Sequence, residues 1–135
     1  MKKEVIYFDA VAYGPFAKCE LTNGYLESVY MNMDEEASGE SKKIKLDESK
    51  ILYFWKRIDE LKVWNWKKSY RHSLNEPQPL PDGWTWVVKL RNRDGKSKYS
   101  TGYEKFPKTF KKFVDELNKL FETKIEYWNE DDRIV

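Results

Sequence analysis

An α+β domain is the fold this sequence predicts, with a mainly antiparallel sheet of about five to seven strands and two amphipathic helices packed on one face. Three observations lead there. The pairs Asn23-Gly24 and Asp94-Gly95 each sit between residues that alternate apolar and polar, the pattern of a hairpin. Two other segments, opening at Asp47 and Pro107, repeat apolar residues at helical spacing. Aromatic residues make up 16% of the 135, six Trp, nine Tyr and seven Phe, enough to build a core from rings. The expected organisation is one domain over residues 1–135, since a chain of this length buries roughly two-thirds of its unfolded surface in a single core.

The elements follow in order. A first strand is expected at Val5–Tyr13, ended by the Gly14-Pro15 turn. With Asn23-Gly24 as a two-residue type I′ loop, Leu21 faces Leu26, Cys19 faces Ser28 and Ala17 faces Tyr30, which makes one side mostly apolar. The other side carries Lys18, Glu20, Thr22, Tyr25 and Glu27. Glu20 then stands opposite Glu27, a like-charge pair that only a solvated face tolerates. An acidic loop runs from Asp34, and a short strand is expected at Lys42–Leu46. Asp47 suits an N-cap, opening a helix to about Lys62 with Ile51, Leu52, Phe54, Trp55, Ile58 and Leu61 inward. Val63–Tyr70 reads as a strand with Trp64, Trp66, Lys68 and Tyr70 on one side, followed by a proline-broken loop over 75–83.

Taking Asp94-Gly95 as a second two-residue loop pairs Trp86 with Tyr103, Val88 with Thr101 and Leu90 with Tyr99. That register leaves Lys89, Arg91, Lys98 and Ser100 on the polar side. Pro107 suits a first helical turn, and Phe110, Phe113, Val114, Leu117, Leu120 and Phe121 form the stripe of a helix to about Glu122. A final strand is placed at Lys124–Trp128, before an acidic end.

Composition narrows function by exclusion. One cysteine rules out an internal disulfide, and one histidine, His72, argues against a transition-metal site. Cys19 falls on the apolar side of its hairpin, as a small buried hydrophobe would. Asp34, Glu36, Ser38 and Gly39 match the opening of a calcium loop, but its twelfth position is Lys45 where a bidentate Glu is required. Gly83, Gly95 and Gly102 fit turns and strand ends, and none makes a phosphate loop. No catalytic residue, metal or cofactor is assigned. The basic tip meets Glu4 and Asp9 before any apolar run of signal-peptide length, and no segment has the ~18–20 apolar residues of a membrane span. The expected location is the cytoplasm.

The candidate binding residues are Trp64, Trp66, Lys67, Lys68, Tyr70 and Arg71, where basic and aromatic side chains interleave. Exposed rings there would stack on single-stranded bases while the cations track phosphates. The competing expectation, and the commoner outcome for such a strand, is that its tryptophans pack in the core. Charge is uneven, with net −5 over residues 1–40 and +6 over 41–72, yet the whole chain is only +2. A dedicated nucleic-acid domain is more basic.

Asp82-Gly83, Trp86, Gly102, Phe106-Pro107, Phe110 and Phe113, with Trp66 and Tyr70 upstream, resemble a pattern of small uncharacterised bacterial α+β proteins. In that pattern a DG-x-x-W strand leads through a hairpin to G-x-N-x-aromatic-P and a closing helix. The likeness spans about Asp47 to Phe121, with Glu104 standing where the pattern prefers Asn. It implies no catalytic residues and an immunity-type or accessory role in toxin systems. The leading expectation is therefore a non-catalytic module whose partner is another protein. The alternative is a single-stranded nucleic-acid binder using the basic and aromatic strand, with an enzyme third.

Overall fold

Asn23 and Gly24 both adopt left-handed backbone, with φ of +50° and +81°, as a type I′ turn requires. The hairpin they close has the expected register, Leu21 opposite Leu26, Cys19 opposite Ser28 and Glu20 opposite Glu27. A computed structural model describes residues 3–12, 16–31, 40–70 and 84–125 of the protein. Its strands are β1 (Val5–Val11), β2 (Phe16–Thr22), β3 (Tyr25–Met31), β4 (Glu40–Lys45), β5 (Ser69–Tyr70), β6 (Thr85–Arg91) and β7 (Ser97–Tyr103). Two helices, α1 (Glu48–Glu60) and α2 (Phe110–Phe121), complete the α+β fold. The strands form one sheet in the order β4-β3-β2-β1-β6-β7-β5, antiparallel throughout except for the short parallel pairing of β5 with β7.

Burial alternates along the strands, so one face of the sheet forms the core: Ile6, Phe8 and Ala10 on β1, Ala17 and Cys19 on β2, Trp86, Val88 and Leu90 on β6. Helix α2 lays its rings on that face. Phe110 and Phe113 lie 6.1 and 6.2 Å from Phe8 between centroids, and Phe110 lies 4.8 Å from Trp86. Every apolar residue expected on the α2 stripe is buried. The helix begins three residues later than Pro107, whose carbonyl accepts from the Phe110 amide at 3.0 Å in a preceding turn. Helix α1 opens at the expected cap, with Asp47 accepting from the Lys50 amide at 3.1 Å. It packs on α2 through Phe54 and Phe113, 6.4 Å apart. Ile51, Phe54 and Ile58 join the same core, but Leu52, expected inward, is 49% exposed.

Three expectations are corrected. First, Val63–Tyr70 is not one strand. Lys62 turns left-handed at φ +56°, Val63–Asn65 coil as a 3₁₀ turn, and only Ser69–Tyr70 pair, at the sheet edge. The alternation Trp64, Trp66, Lys68, Tyr70 therefore does not define one side.

Second, the β6–β7 register differs by one residue from the reading of Asp94-Gly95 as a two-residue loop. Trp86 faces Gly102, Val88 faces Ser100 and Leu90 faces Lys98. The side chain of Asn92 decides this, since its Oδ1 accepts from the amides of Asp94 and Lys96 at 3.0 and 2.9 Å. The Asn92 amide donates to the Lys96 carbonyl at 2.9 Å, leaving Arg93, Asp94 and Gly95 as a three-residue loop. Of these only Gly95 has positive φ, at +87°, the arrangement of a turn closed by a left-handed glycine. Because side chains alternate, this slip reverses β7: Ser100 and Gly102 point inward, and Tyr99 and Tyr103 point outward.

Third, Lys124 and Ile125 are not strand, and the rest of the expected final strand lies outside the described residues. So do the Gly14-Pro15 turn, the acidic loop from Asp34 to Gly39, Arg71, His72, the 75–83 loop and the acidic tail.

Candidate interaction surface

The face of the sheet turned away from the core is built by the other half of the alternation. Strand pairing sets its side chains in rows. One row runs Lys43, Glu27, Glu20, Tyr7, Lys89, Tyr99 from β4 to β7, and the next runs Ser41, Val29, Lys18, Asp9, Val87, Thr101. Here Glu20 and Glu27 do stand side by side on an open face, as their register demanded. Val11, Tyr25, Val29 and Tyr99, at 40–52% exposure, are large apolar residues left in solvent on this face. Val11, Ala12, Phe16 and Val29 line a depression of about 570 Å³ at one end.

Toward the other end lysines lie over tyrosine rings. The Lys89 ammonium is 5.1 Å from the Tyr7 centroid and 5.9 Å from that of Tyr99, and Lys18 approaches Tyr7 at 5.7 Å. Contacts of this kind hold the rings upright at about 0.5–1 kcal/mol each when exposed. The Tyr7 hydroxyl donates to Asp9 at 2.6 Å, and because only the protonated phenol can make that hydrogen bond, its pKa is pushed up to about 12, with burial and the Asp9 charge adding to the rise. Lys43 covers Tyr25 at 4.9 Å on the same face, at its β3–β4 edge.

Of the sequence-predicted binding residues, the described ones, Trp64, Trp66, Lys67, Lys68 and Tyr70, fall elsewhere and do not form one surface. Trp66 is buried, stacked on Phe110 at 6.0 Å and edge-on to Phe113 and Trp86, with its indole N–H donating to Thr109 Oγ1 at 3.1 Å. Tyr70 is buried against Trp86, and its hydroxyl accepts from the Lys67 amide at 3.0 Å. Trp64 is half-buried on Trp55, donating to Asp59 at 2.6 Å. The side chains of Lys67 and Lys68 are exposed, while their carbonyls accept from Ser100 Oγ and the Thr101 amide. The rings of this segment therefore serve the core, the commoner outcome weighed against binding.

Two charged residues have structural duties. Glu116, 3% exposed, accepts from Arg57 Nε at 3.1 Å and from Lys119 at 3.3 Å, tying α2 to α1. Glu104 adopts φ +55°, a conformation Asn takes more readily than Glu. Its carboxylate accepts from the Trp84 amide at 2.6 Å. Cys19 is fully buried and its thiol is pushed up to about 12 by burial, which removes it as a nucleophile near neutral pH. Among the described residues no group of three His, Cys, Asp or Glu side chains could hold a metal ion. No described helix is long and apolar enough to cross a membrane.

Tyr25 lies where the expected register of its hairpin put it, on the polar side. Tyr99 alone of these residues depends on the β7 register, and the signal that could have placed it is Asn92, two residues before Asp94-Gly95. No protein-family model matches the chain, and no curated protein does.

Proposed function

We propose that the protein is a non-catalytic module that binds another protein through the outer face of its sheet, as an immunity-type or accessory component of a bacterial toxin system in the cytoplasm. The observation that carries this reading is the exposure of Val11, Tyr25, Val29 and Tyr99 on one continuous face, interleaved with charges of both signs. Such a face, with aromatic and aliphatic anchors among charges, has the makings of a specific contact. The alternative, single-stranded nucleic acid held by the Trp64–Arg71 segment, loses its stacking platform because Trp66 and Tyr70 are committed to the core.

Tagged protein crosslinked in cells tests the proposal. A partner captured by the parent should be lost by the Val11→Asp/Val29→Asp double variant at an unchanged thermal midpoint. It should be kept by Lys111→Glu, on the exposed side of α2. The same captured proteins from all three would refute the assignment of this face.

A further inference from the structure

Of the described arginines, Arg57 pairs with Glu60 and Glu116, and Arg93 pairs with Glu4 and Glu48. Arg91 makes no ion pair among the described residues, and neither does Lys89, two positions away on the same side of β6. Both point to the outer face, Arg91 between Val5 and Ser97 on the neighbouring strands and Lys89 between Tyr7 and Tyr99. With Val5, Ser97 and Tyr99 they line a depression of about 290 Å³. Arg91 is half-buried, and the planar fork of donors on its guanidinium matches a carboxylate in a two-point contact. We infer that the β1–β6–β7 end of the outer face takes an acidic segment of the protein partner, with Arg91 and Lys89 receiving its carboxylates and Tyr99 the adjoining side chain. This rests on the protein-binding reading above and adds the chemistry of the partner.

Charge complementarity selects the occupant, and the surroundings separate carboxylates from a phosphate chain. The row holding Lys89 continues through Tyr7 to Glu20 and Glu27, so a polyanion laid across the sheet would meet two carboxylates after the cations. Strands β2 and β6 flank β1, and Lys18 and Lys89 approach the Tyr7 ring from those two strands, so a base could stack there only by displacing an ammonium. Among the described residues at this end, one exposed ring, Tyr99, is too little for the successive stacking that holds single strands. A short peptide carrying one or two carboxylates needs neither.

The probes are acetyl-(Glu-Ala)5-amide, its Gln-for-Glu counterpart and decathymidylate, titrated at low salt into labelled protein while amide NMR shifts are followed. The Glu peptide should shift Lys89, Arg91, Tyr99 and their neighbours, and the Gln peptide should not. Lys89→Gln/Arg91→Gln should weaken the Glu peptide by about ten-fold or more at an unchanged thermal midpoint. Equal shifts with the Gln peptide, shifts confined to other residues, or tighter binding of decathymidylate at these positions would each overturn the inference. In the crosslinking experiment, a partner lost by Val11→Asp/Val29→Asp but fully kept by Lys89→Gln/Arg91→Gln also overturns it, and leaves the protein-binding reading standing. A partner kept by both double variants removes both.

Discussion

Replacing Gly102 by alanine sets a methyl group where the indole of Trp86 already lies. A Cβ there would stand 2.5 Å from Trp86 Nε1, 2.7 Å from its Cε2 and 2.8 Å from the Lys105 carbonyl oxygen. The indole N–H donates to that same carbonyl at 2.8 Å, so the methyl group presses on both partners of one hydrogen bond. Neither yields easily. The acceptor is backbone, and Trp86 is fully buried among Trp66, Tyr70, Phe106 and Phe110. Overpacking costs about 1–3 kcal/mol. An orphaned buried donor adds ~1–3 kcal/mol. Restricting the unfolded chain returns ~0.4–1 kcal/mol. The net loss is about 1–5.5 kcal/mol, and with ~2.1 cal/mol/K of unfolding entropy per residue the midpoint should fall by about 4–19 °C. Urea unfolding followed by tryptophan fluorescence measures it. In a Trp86→Phe background, which lacks the indole nitrogen, the same change should cost less than about half as much, a coupling that a double-mutant cycle reports. A Gly102→Ala protein within about 0.5 kcal/mol of its parent, or a cycle with no coupling, would refute the packing described for β6 and β7.

Phe113 touches Phe8, Phe54, Trp66 and Phe110 and is fully buried, so Phe113→Ala should cost about 3–5 kcal/mol in chemical unfolding, and a loss below about 1 kcal/mol would contradict its place in the core. The β7 register is tested by a pair of neighbours: Tyr99→Lys should stay within about 0.5 kcal/mol, while Ser100→Lys should lose more than about 3 kcal/mol, because Ser100 is fully buried and donates to Lys67 O at 2.6 Å. The reverse order of stability would restore the other register. Burial raises the Cys19 thiol to about 12 from an ordinary 9.0, so its contribution is complete below pH 9 and declines as pH rises toward 12, by up to about 1.4 kcal/mol per pH unit. Unfolding profiles of the parent and Cys19→Ala should therefore converge over that window, and profiles that stay parallel would show that the thiol titrates freely.

What could be read from the sequence, and what could not, divides at the two hairpins. Asn23-Gly24 was legible because both residues tolerate positive φ and nothing nearby competes, so register and faces followed. Asp94-Gly95 carried the same signal, but Asn92 offers its side chain to two loop amides and makes a three-residue loop the better satisfied one. That contest is settled by hydrogen-bond geometry, which periodicity does not register, and it alone put Tyr99 on the wrong side. The helices were legible through their stripes, since buried and solvated sides differ in residue type. Leu52 broke the rule because an apolar residue at the margin of a stripe can face water at modest cost. Glu116 is the mirror case, a carboxylate inside the stripe that only its cationic neighbours on α1 and α2 make tolerable. The 62–70 segment was misread because strand-like alternation also describes a chain that turns sharply at Lys62 and drops Trp66 into a ring cluster.

The central seam of the sheet has a consequence for how the chain assembles in time. Strands β1 to β4 pair with sequence neighbours, whereas β1 joins β6 across 86 residues at Val5–Arg91 and 74 at Val11–Thr85. The first four strands can zip up quickly as a meander, yet their apolar side stays open until β6 is available to dock and α2 to cover it. On a ribosome adding about 5–20 residues per second, that interval lasts several seconds at least. Refolding should therefore be limited by closure of the seam, with hydrogen-exchange protection arriving in the β2–β3 hairpin before it reaches the β1–β6 ladder. Simultaneous protection of both in a pulse-labelling experiment would mean that the two halves of the sheet form together.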